Sequence, residues 1–113
     1  MAETQPDMIT LPEAAELMAT PITKVHQLLK DGQLVATQDD RGRRVLPRIL
    51  VAAGVPVKGL GSVITLLRDG GYTDPEIVRW LVRPDESLPG TPAQALAENR
   101  GTEVKRRAQA AAF

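Results

Sequence analysis

The sequence contains no cysteine and a single histidine, His26. Disulfides and thiolate metal sites are therefore excluded, and one imidazole is too few to build a transition-metal cluster. We accordingly expect neither a metal nor a cofactor. Aromatic residues make up only 3% of the chain, while hydrophobic residues as a whole reach 42%. The core must therefore be built from Leu, Val, Ile and Ala, and Trp80 is expected to anchor its C-terminal part.

Long apolar runs, secretory signals and enzymatic motifs are also missing. No apolar run approaches the roughly 20 residues of a membrane span, and residues 1–10 lack the basic-then-apolar order of a signal peptide. The glycines are expected at the ends of helices and do not form a phosphate-binding loop between a strand and a helix. No pair of carboxylates lies in an apolar setting. The sequence thus predicts a cytoplasmic protein without a membrane partner and without enzymatic activity.

The net charge is zero because 14 basic residues balance 14 acidic ones, but the charges are unevenly distributed. Residues 1–20 contain four acidic residues and no basic one, whereas residues 21–58 contain seven basic and three acidic residues. A phosphate backbone responds to the local field of one face and not to the average over the chain. Nucleic acid therefore remains open as a partner of residues 21–58.

Two short helices are predicted near the N-terminus. Thr10 and Glu13 have the spacing of a capping box, which indicates a helix start. Thr20 is expected to cap a second helix with Pro21 as its first residue. The glycine at Gly32 is expected to end that helix. Two helices joined by so short a turn predict a helix-turn-helix.

A basic hairpin is predicted to follow. Residues 34–38 and 43–46 have the composition of two strands, and the residues 39–42 between them have that of a turn. Residues 48–59 are ambiguous, and we expect an extended or irregular link there. Helix, turn, helix and hairpin in this order predict a winged helix-turn-helix.

Helical spacing resumes at Leu60 and extends over most of the remaining chain. Thr73 and Glu76 repeat the capping box, and Thr91 begins a short helix before a last one over 102–112. The fold class expected is mainly α with a small β-hairpin wing. Its parts are a flexible N-terminus (1–8), a winged helix-turn-helix (9–58) and a helical C-terminal domain packed on it (59–113).

The second helix carries the residue types that read DNA. Ala15 is small enough to lie where the first helix crosses the second. Val25 and Leu28 are expected to anchor the second helix on the core through its buried face. Gln27 has the geometry to pair with adenine in the major groove. The candidate DNA contacts on this helix are Thr23, Lys24, His26, Gln27 and Lys30.

The wing adds three arginines, Arg41, Arg43 and Arg44, which suit a minor groove or a phosphate ladder. Asp39 and Asp40 at the same tip dilute this basic signal. Taken alone, such a hairpin is commonly just a solvated turn, and His26 is more commonly a surface histidine than a ligand. The consecutive motif makes a double-stranded DNA partner the leading hypothesis, with a sequence-reading or architectural role and transcription regulation as the function. A homodimer is a further expectation.

Residues 9–46 resemble the winged helix-turn-helix of the MerR/excisionase type in Leu11, Ala14-Ala15, Val25, Leu28-Leu29 and Asp31-Gly32. The resemblance to a small actinobacterial DNA-binding family covers nearly the whole chain. Its most specific stretch reads Gly70-Gly71-Tyr72, Glu76-Ile77 and Arg79-Trp80-Leu81. That family implies a helical domain after the winged helix-turn-helix, and its mycobacterial member is a substrate of a Ser/Thr kinase. The resemblance thus implies a kinase partner and nucleoid association, and leaves open whether Thr4 or Thr10 is modified.

One departure from the motif concerns the turn, where Gly followed by an apolar residue is usual and Ala19-Thr20 stands instead. An alanine held at positive φ costs on the order of 1 kcal/mol, so we expect a turn that is either slightly strained or reshaped. An alternative function uses the C-terminal residues 79–113, which weakly resemble the toxin-binding domain of some antitoxins. The residues that carry this resemblance are Trp80-Leu81, Pro84, Leu88, Gly90-Thr91-Pro92, Ala95-Leu96 and Val104. On that hypothesis the chain is a protein-interaction or adaptor module.

Overall fold

The computed structural model describes residues 7–84 and 90–112. They form six α-helices, a short 3-10 turn and one antiparallel three-stranded sheet. This is a winged helix-turn-helix followed by a helical region, as the sequence predicts. None of the described helices is both long and apolar enough to cross a membrane. The elements are β1 (Met8–Thr10), α1 (Leu11–Leu17), α2 (Ile22–Lys30), β2 (Thr37–Gln38), β3 (Arg44–Pro47), the 3-10 turn (Arg48–Leu50), α3 (Leu60–Asp69), α4 (Asp74–Val82), α5 (Pro92–Ala97) and α6 (Gly101–Ala112).

The sheet has the order β1–β3–β2, so that the wing hairpin is extended by a strand that was not predicted. Residues 1–8 were predicted to be a flexible N-terminus, whereas Met8 lies in β1 and pairs with Pro47. The strand β2 is also shorter than predicted and contains only Thr37 and Gln38. Residues 34–36 are buried without strand pairing. Three residues are too few to show a period-two pattern in the sequence. The extended conformation of β1 is supported by its pairing with β3.

The two N-terminal helix starts have different outcomes. The capping box of α1 is confirmed: the amide of Thr10 donates to Glu13 Oε1 at 2.7 Å, and the amide of Glu13 donates to Thr10 Oγ1 at 3.3 Å. The predicted cap at Thr20 is wrong. Pro21 is the N-cap residue of α2, and no side chain caps this helix. The first bond of α2 runs from the amide of Lys24 to the carbonyl of Pro21 at 2.9 Å, which places the N-cap one residue later than predicted.

That end of α1 is a Schellman motif with an alanine at the left-handed position. The amide of Thr20 donates to the carbonyl of Ala15 at 3.0 Å, and that of Ala19 donates to Glu16 at 3.1 Å. Ala19 has φ +54°, a conformation that glycine adopts without a steric cost. Of the two expected alternatives the turn is therefore not the reshaped one, because it keeps the left-handed residue of the motif with an alanine in that position.

The core is one aliphatic cluster that joins the two halves of the chain. Helix α3 lies along α6, α4 packs against β2 and β3, and α5 packs against the 3-10 turn. A Cβ on Gly70 would lie 2.5 Å from the Cβ of Ala112, which shows how closely α3 and α6 approach. The largest fully buried side chains are Ile9, Val25, Leu34, Leu46, Leu50, Leu60, Ile64, Leu67, Ile77, Leu81 and Leu96.

Trp80 does not anchor this core as predicted. It is only half-buried against the cluster, whereas Ile77 and Leu81 of the same helix are completely buried. With about 100° of rotation per residue, the buried face of α4 is centred between Ile77, Val78 and Leu81. The indole of Trp80 therefore lies at the margin of that face.

We expect the substitution Ala19→Gly to stabilise the protein by about 1 kcal/mol, because it relieves the left-handed strain without removing a buried side chain. Urea denaturation should show a higher midpoint with an unchanged m-value.

Asn99→Gly is the matched control, since Asn99 at φ +65° is the other non-glycine residue with positive φ among the residues described. Asparagine tolerates this region better than alanine, so its replacement should stabilise the protein less. An Ala19→Gly variant that is no more stable than the parent would show that the turn is unstrained.

Candidate nucleic-acid interface

Helix α2 has one buried face and one exposed face. Val25 is fully buried and Leu29 almost so, and both point toward α1 and the core. Leu28, predicted as the second anchor, is only half-buried. Four residues along a helix return to the same face, whereas three residues fall short of it, so Leu29 takes the anchoring position. All predicted contact residues of this helix are exposed to solvent: Thr23, Lys24, His26, Gln27 and Lys30.

Gln27 is held by a neighbour that the sequence analysis did not single out. Its Nε2 donates a hydrogen bond to Asp31 Oδ1 at 2.9 Å. A carboxylate only accepts hydrogen bonds, so it selects the orientation in which the amide nitrogen of Gln27 faces it. The i, i+4 spacing of the two residues was the available signal. Asp31 thus restricts the side chain that is best suited to read a base.

Asp31 also lies at the end of α2, where the predicted stop is confirmed. Gly32 has φ +74°, and the amide of Gln33 donates to the carbonyl of Leu28 at 2.9 Å. This is a second Schellman motif. A carboxylate at a helix C-terminus is unfavourable toward the helix dipole. The dipole therefore opposes an aspartate at this position, whereas its i, i+4 hydrogen bond with Gln27 favours it.

Asp39 organises the tip of the wing. The amides of Arg41 and Arg43 both donate to its Oδ1 at 2.9 Å, and Arg43 Nε donates to its Oδ2 at 2.8 Å. These bonds, the amide of Arg43 first, lower the pKa of Asp39. The turn predicted over 39–42 is closed by the amide of Asp39, which donates to the carbonyl of Arg43 at 2.9 Å. Asp39, which in the sequence reduces the positive charge of the wing, is thus the residue that holds the loop in shape.

The three wing arginines are therefore not equivalent. Arg43 is held by Asp39 and borders a concavity that also contains Glu13 at the start of α1. The pKa of Glu13 is lowered mainly by the amide and hydroxyl of Thr10, with a smaller contribution from Arg43. Arg41 and Arg44 are exposed and have no ion-pair partner in the part of the chain that the structure describes. These two have guanidinium groups available for an external anion.

Comparison with known proteins gives matches over nearly the whole chain. A family described as "DNA-binding protein Rv2175c, wHTH domain" matches residues 2–51. A second, described as "Rv2175c C-terminal domain of unknown function", matches residues 57–112. The DNA-binding protein Rv2175c of Mycobacterium tuberculosis is 42% identical over 91% of this chain and 79% of its own length. The NMR structure of Rv2175c superposes with a TM-score of 0.85 at 38% identity, covering 100% of this chain and 86% of the other.

Replacing Asp39 by alanine should disorder the wing tip, because two backbone amides lose their acceptor. We expect faster hydrogen exchange at the amides of Arg41 and Arg43, measured by NMR. Asp40→Ala is the matched control, since Asp40 is an exposed neighbour that makes none of these bonds. Equal exchange rates in the two variants would remove Asp39 from this role.

Acid should have the same effect on the unmodified wing. The folded-state pKa of Asp39 is lowered, so its contribution is complete above the unfolded-state pKa and is lost as the pH falls through the folded value. NMR shifts of the wing amides should therefore stay constant at neutral pH and change together in acid, below the usual range of an aspartate. A change that begins near neutral pH would contradict this assignment.

Proposed function

The chain belongs to the family of the mycobacterial DNA-binding protein Rv2175c, and we propose that it binds double-stranded DNA as a regulator of transcription. The observation that carries the proposal is the exposed, polar and basic face of α2 beside a wing whose Arg41 and Arg44 form no ion pair with any described residue. The name of the relative, a DNA-binding protein at 42% identity, points to the same partner.

The proposed docking places α2 in the major groove. Thr23 and Lys24 in its first turn reach base edges or phosphates, and Gln27 one turn later offers its amide to adenine. Arg41 and Arg44 of the wing then lie on the adjacent backbone or in the minor groove. Arg43 contributes by holding the loop in shape through Asp39.

The alternative, an antitoxin-like or adaptor module, finds less support in the C-terminal helices. Apolar residues on which the resemblance to a toxin-binding domain rested, Leu81, Leu96 and Val104, are buried in the protein's own core. They are therefore not available to a partner in this conformation. The absence of enzymatic activity remains a prediction, although no three His, Asp or Glu side chains within 7–84 and 90–112 are grouped to hold a metal.

A Ser/Thr kinase, a homodimer and association with the nucleoid in the cytoplasm are finer parts of the proposal. Thr4 lies outside the described residues. Thr10 is half-buried, and its Oγ1 accepts the amide of Glu13. A phosphate ester at Thr10 would remove the hydroxyl proton that is donated to Glu13 Oε1 and would place a dianion beside that carboxylate. Modification of Thr10 would thus act on the start of α1 and on strand β1.

Lys24→Ala and Arg44→Ala should both weaken binding, but differently. A residue that contacts phosphate should weaken binding to every duplex alike and make the slope of log K against log salt less steep by about one unit, whereas a residue that contacts a base edge should also change the preference among sequences. Fluorescence anisotropy at several salt concentrations measures both quantities. Arg106→Ala is the control, because it removes an exposed charge on α6 away from the proposed surface. If Lys24→Ala and Arg44→Ala bind as the control does, the α2–wing surface is not the DNA site.

Gln27→Ala and Asp31→Ala should separate specificity from affinity. Gln27→Ala should lower the preference for the best site by about 1–3 kcal/mol, the range of a bidentate base contact. Asp31→Ala removes a negative charge from the DNA-facing helix and frees Gln27. It should therefore strengthen binding to random DNA while the preference for the best site declines.

Glu98→Ala is the matched control for Asp31→Ala. Glu98 is likewise an acidic C-cap residue, of α5, and its carboxylate bonds to Arg100 instead of to a base-reading side chain. A selection from random duplexes supplies the best site, and the two affinities are then compared for each variant. A loss of affinity for all sequences in Asp31→Ala would show a structural role, and a selection without any preferred sequence would favour an architectural protein.

A further inference from the structure

A polar groove lies where the end of α2 meets the C-terminal helices. It consists of two adjoining concavities of about 450 and 300 Å³, which share Gly59, Ser62 and Lys105. We call it the lysine groove. The polar side chains that line it are Gln33, Lys58, Ser62, Thr65, Asn99, Thr102 and Lys105.

The lysine groove contains no carboxylate, although the chain has as many acidic as basic residues. Three other concavities of the described part of the molecule each include an acid, for example Asp7 beside Arg48 and Asp39 beside Arg43. Lys58 and Lys105 are exposed and form no ion pair with any described residue. The local field in the groove is therefore positive and uncompensated.

The chemistry of the lining fits a phosphodiester backbone. Lysine ammonium groups, serine and threonine hydroxyls and side-chain amides are the groups that contact phosphate and sugar in protein–DNA complexes. These side chains are exposed and are distributed along two concavities instead of converging on one point. An extended polyanion matches this arrangement better than a small anion, which needs donors that converge.

The groove continues the surface of α2. A Cβ on Gly61 would lie 2.8 Å from Gln33 Oε1, so the side chain of Gln33 lies over the first turn of α3. Lys30, at the exposed end of α2, is three residues before Gln33. Their Cα atoms are thus no more than about 11 Å apart.

We propose that the lysine groove binds the phosphate backbone of the same duplex that α2 reads. This inference rests on the proposed function and assigns a role to the C-terminal region, which adds affinity that is independent of sequence. It predicts that DNA binding uses residues far along the chain, up to Lys105, and is not confined to the winged helix-turn-helix.

The double variant Lys58→Ala/Lys105→Ala tests the proposal in the full chain. With a duplex of about 25 base pairs, which at about 3.4 Å per base pair is longer than the 37 Å extent of the protein, it should bind more weakly than the parent. The plot of log K against log salt should become less steep by about two units, one for each phosphate contact that is lost. Arg79→Ala/Arg106→Ala is the control, since it removes the same charge from exposed positions outside the groove.

Ser62→Glu is a second variant that separates binding from folding. Ser62 lies in the first turn of α3, where an acidic side chain is favourable toward the helix dipole. The melting temperature should therefore stay the same or rise, while the introduced carboxylate repels the DNA backbone and lowers affinity.

The outcomes distinguish the two proposals. If the parent protein binds duplex DNA and both groove variants bind as tightly, and with the same salt slope, as the control, the groove inference is overturned and the proposed function stands. If the parent protein binds no duplex at any salt concentration, the proposed function fails and the inference fails with it. The groove is supported if both groove variants bind more weakly than the control and the double variant also has a less steep salt slope than the control.

Discussion

The structure depends on a constraint set by composition: with almost no aromatic residues, the chain must bury aliphatic side chains from both halves in one cluster. Small side chains fill a core only when the elements approach closely. The contact of Gly70 with Ala112 between α3 and α6 shows this directly. Val25 of α2 and Leu81 of α4 belong to the same cluster, and α2 packs directly on α1. The exposed face of α2 is therefore held by α1 within a core that both halves of the chain build.

Acidic residues in this neutral chain have local structural tasks. Asp39 folds the wing tip and holds Arg43, Asp7 pairs with Arg48 at 2.7 Å, and Asp74 pairs with Arg68 at 2.9 Å. Exposed ion pairs of this kind contribute little stability, but they compensate basic charges away from α2. The lysines of α2 have no such partner among the described residues. A net charge of zero is therefore compatible with a positive surface, because the compensation is uneven.

Features encoded within a few residues were predictable from the sequence. The capping boxes at Thr10 and Thr73 depend on neighbours three positions away, and both are present. The exposure of the polar residues of α2 follows from helical periodicity alone. Strand β1 was missed because its conformation depends on β3, which is distant in sequence. The half-burial of Trp80 likewise depends on which side of α4 meets the sheet, and no local pattern contains that information.

The candidate site divides in the same way. Thr23, Lys24 and Gln27 could be selected from residue type and spacing, whereas the role of Asp39 required the geometry of the folded loop. The lysine groove could not be predicted from the sequence, since the residues that line it are spread from Gln33 to Lys105 and form no motif.

This division has a physical reason. Base reading requires a rigid helix with few side chains, which a short sequence can specify, whereas backbone binding requires only positive and hydrogen-bonding groups along a surface. Such a surface can be assembled from any elements that the fold brings together. We therefore expect the specificity of this protein to reside in α2 and a large part of its affinity to depend on tertiary packing.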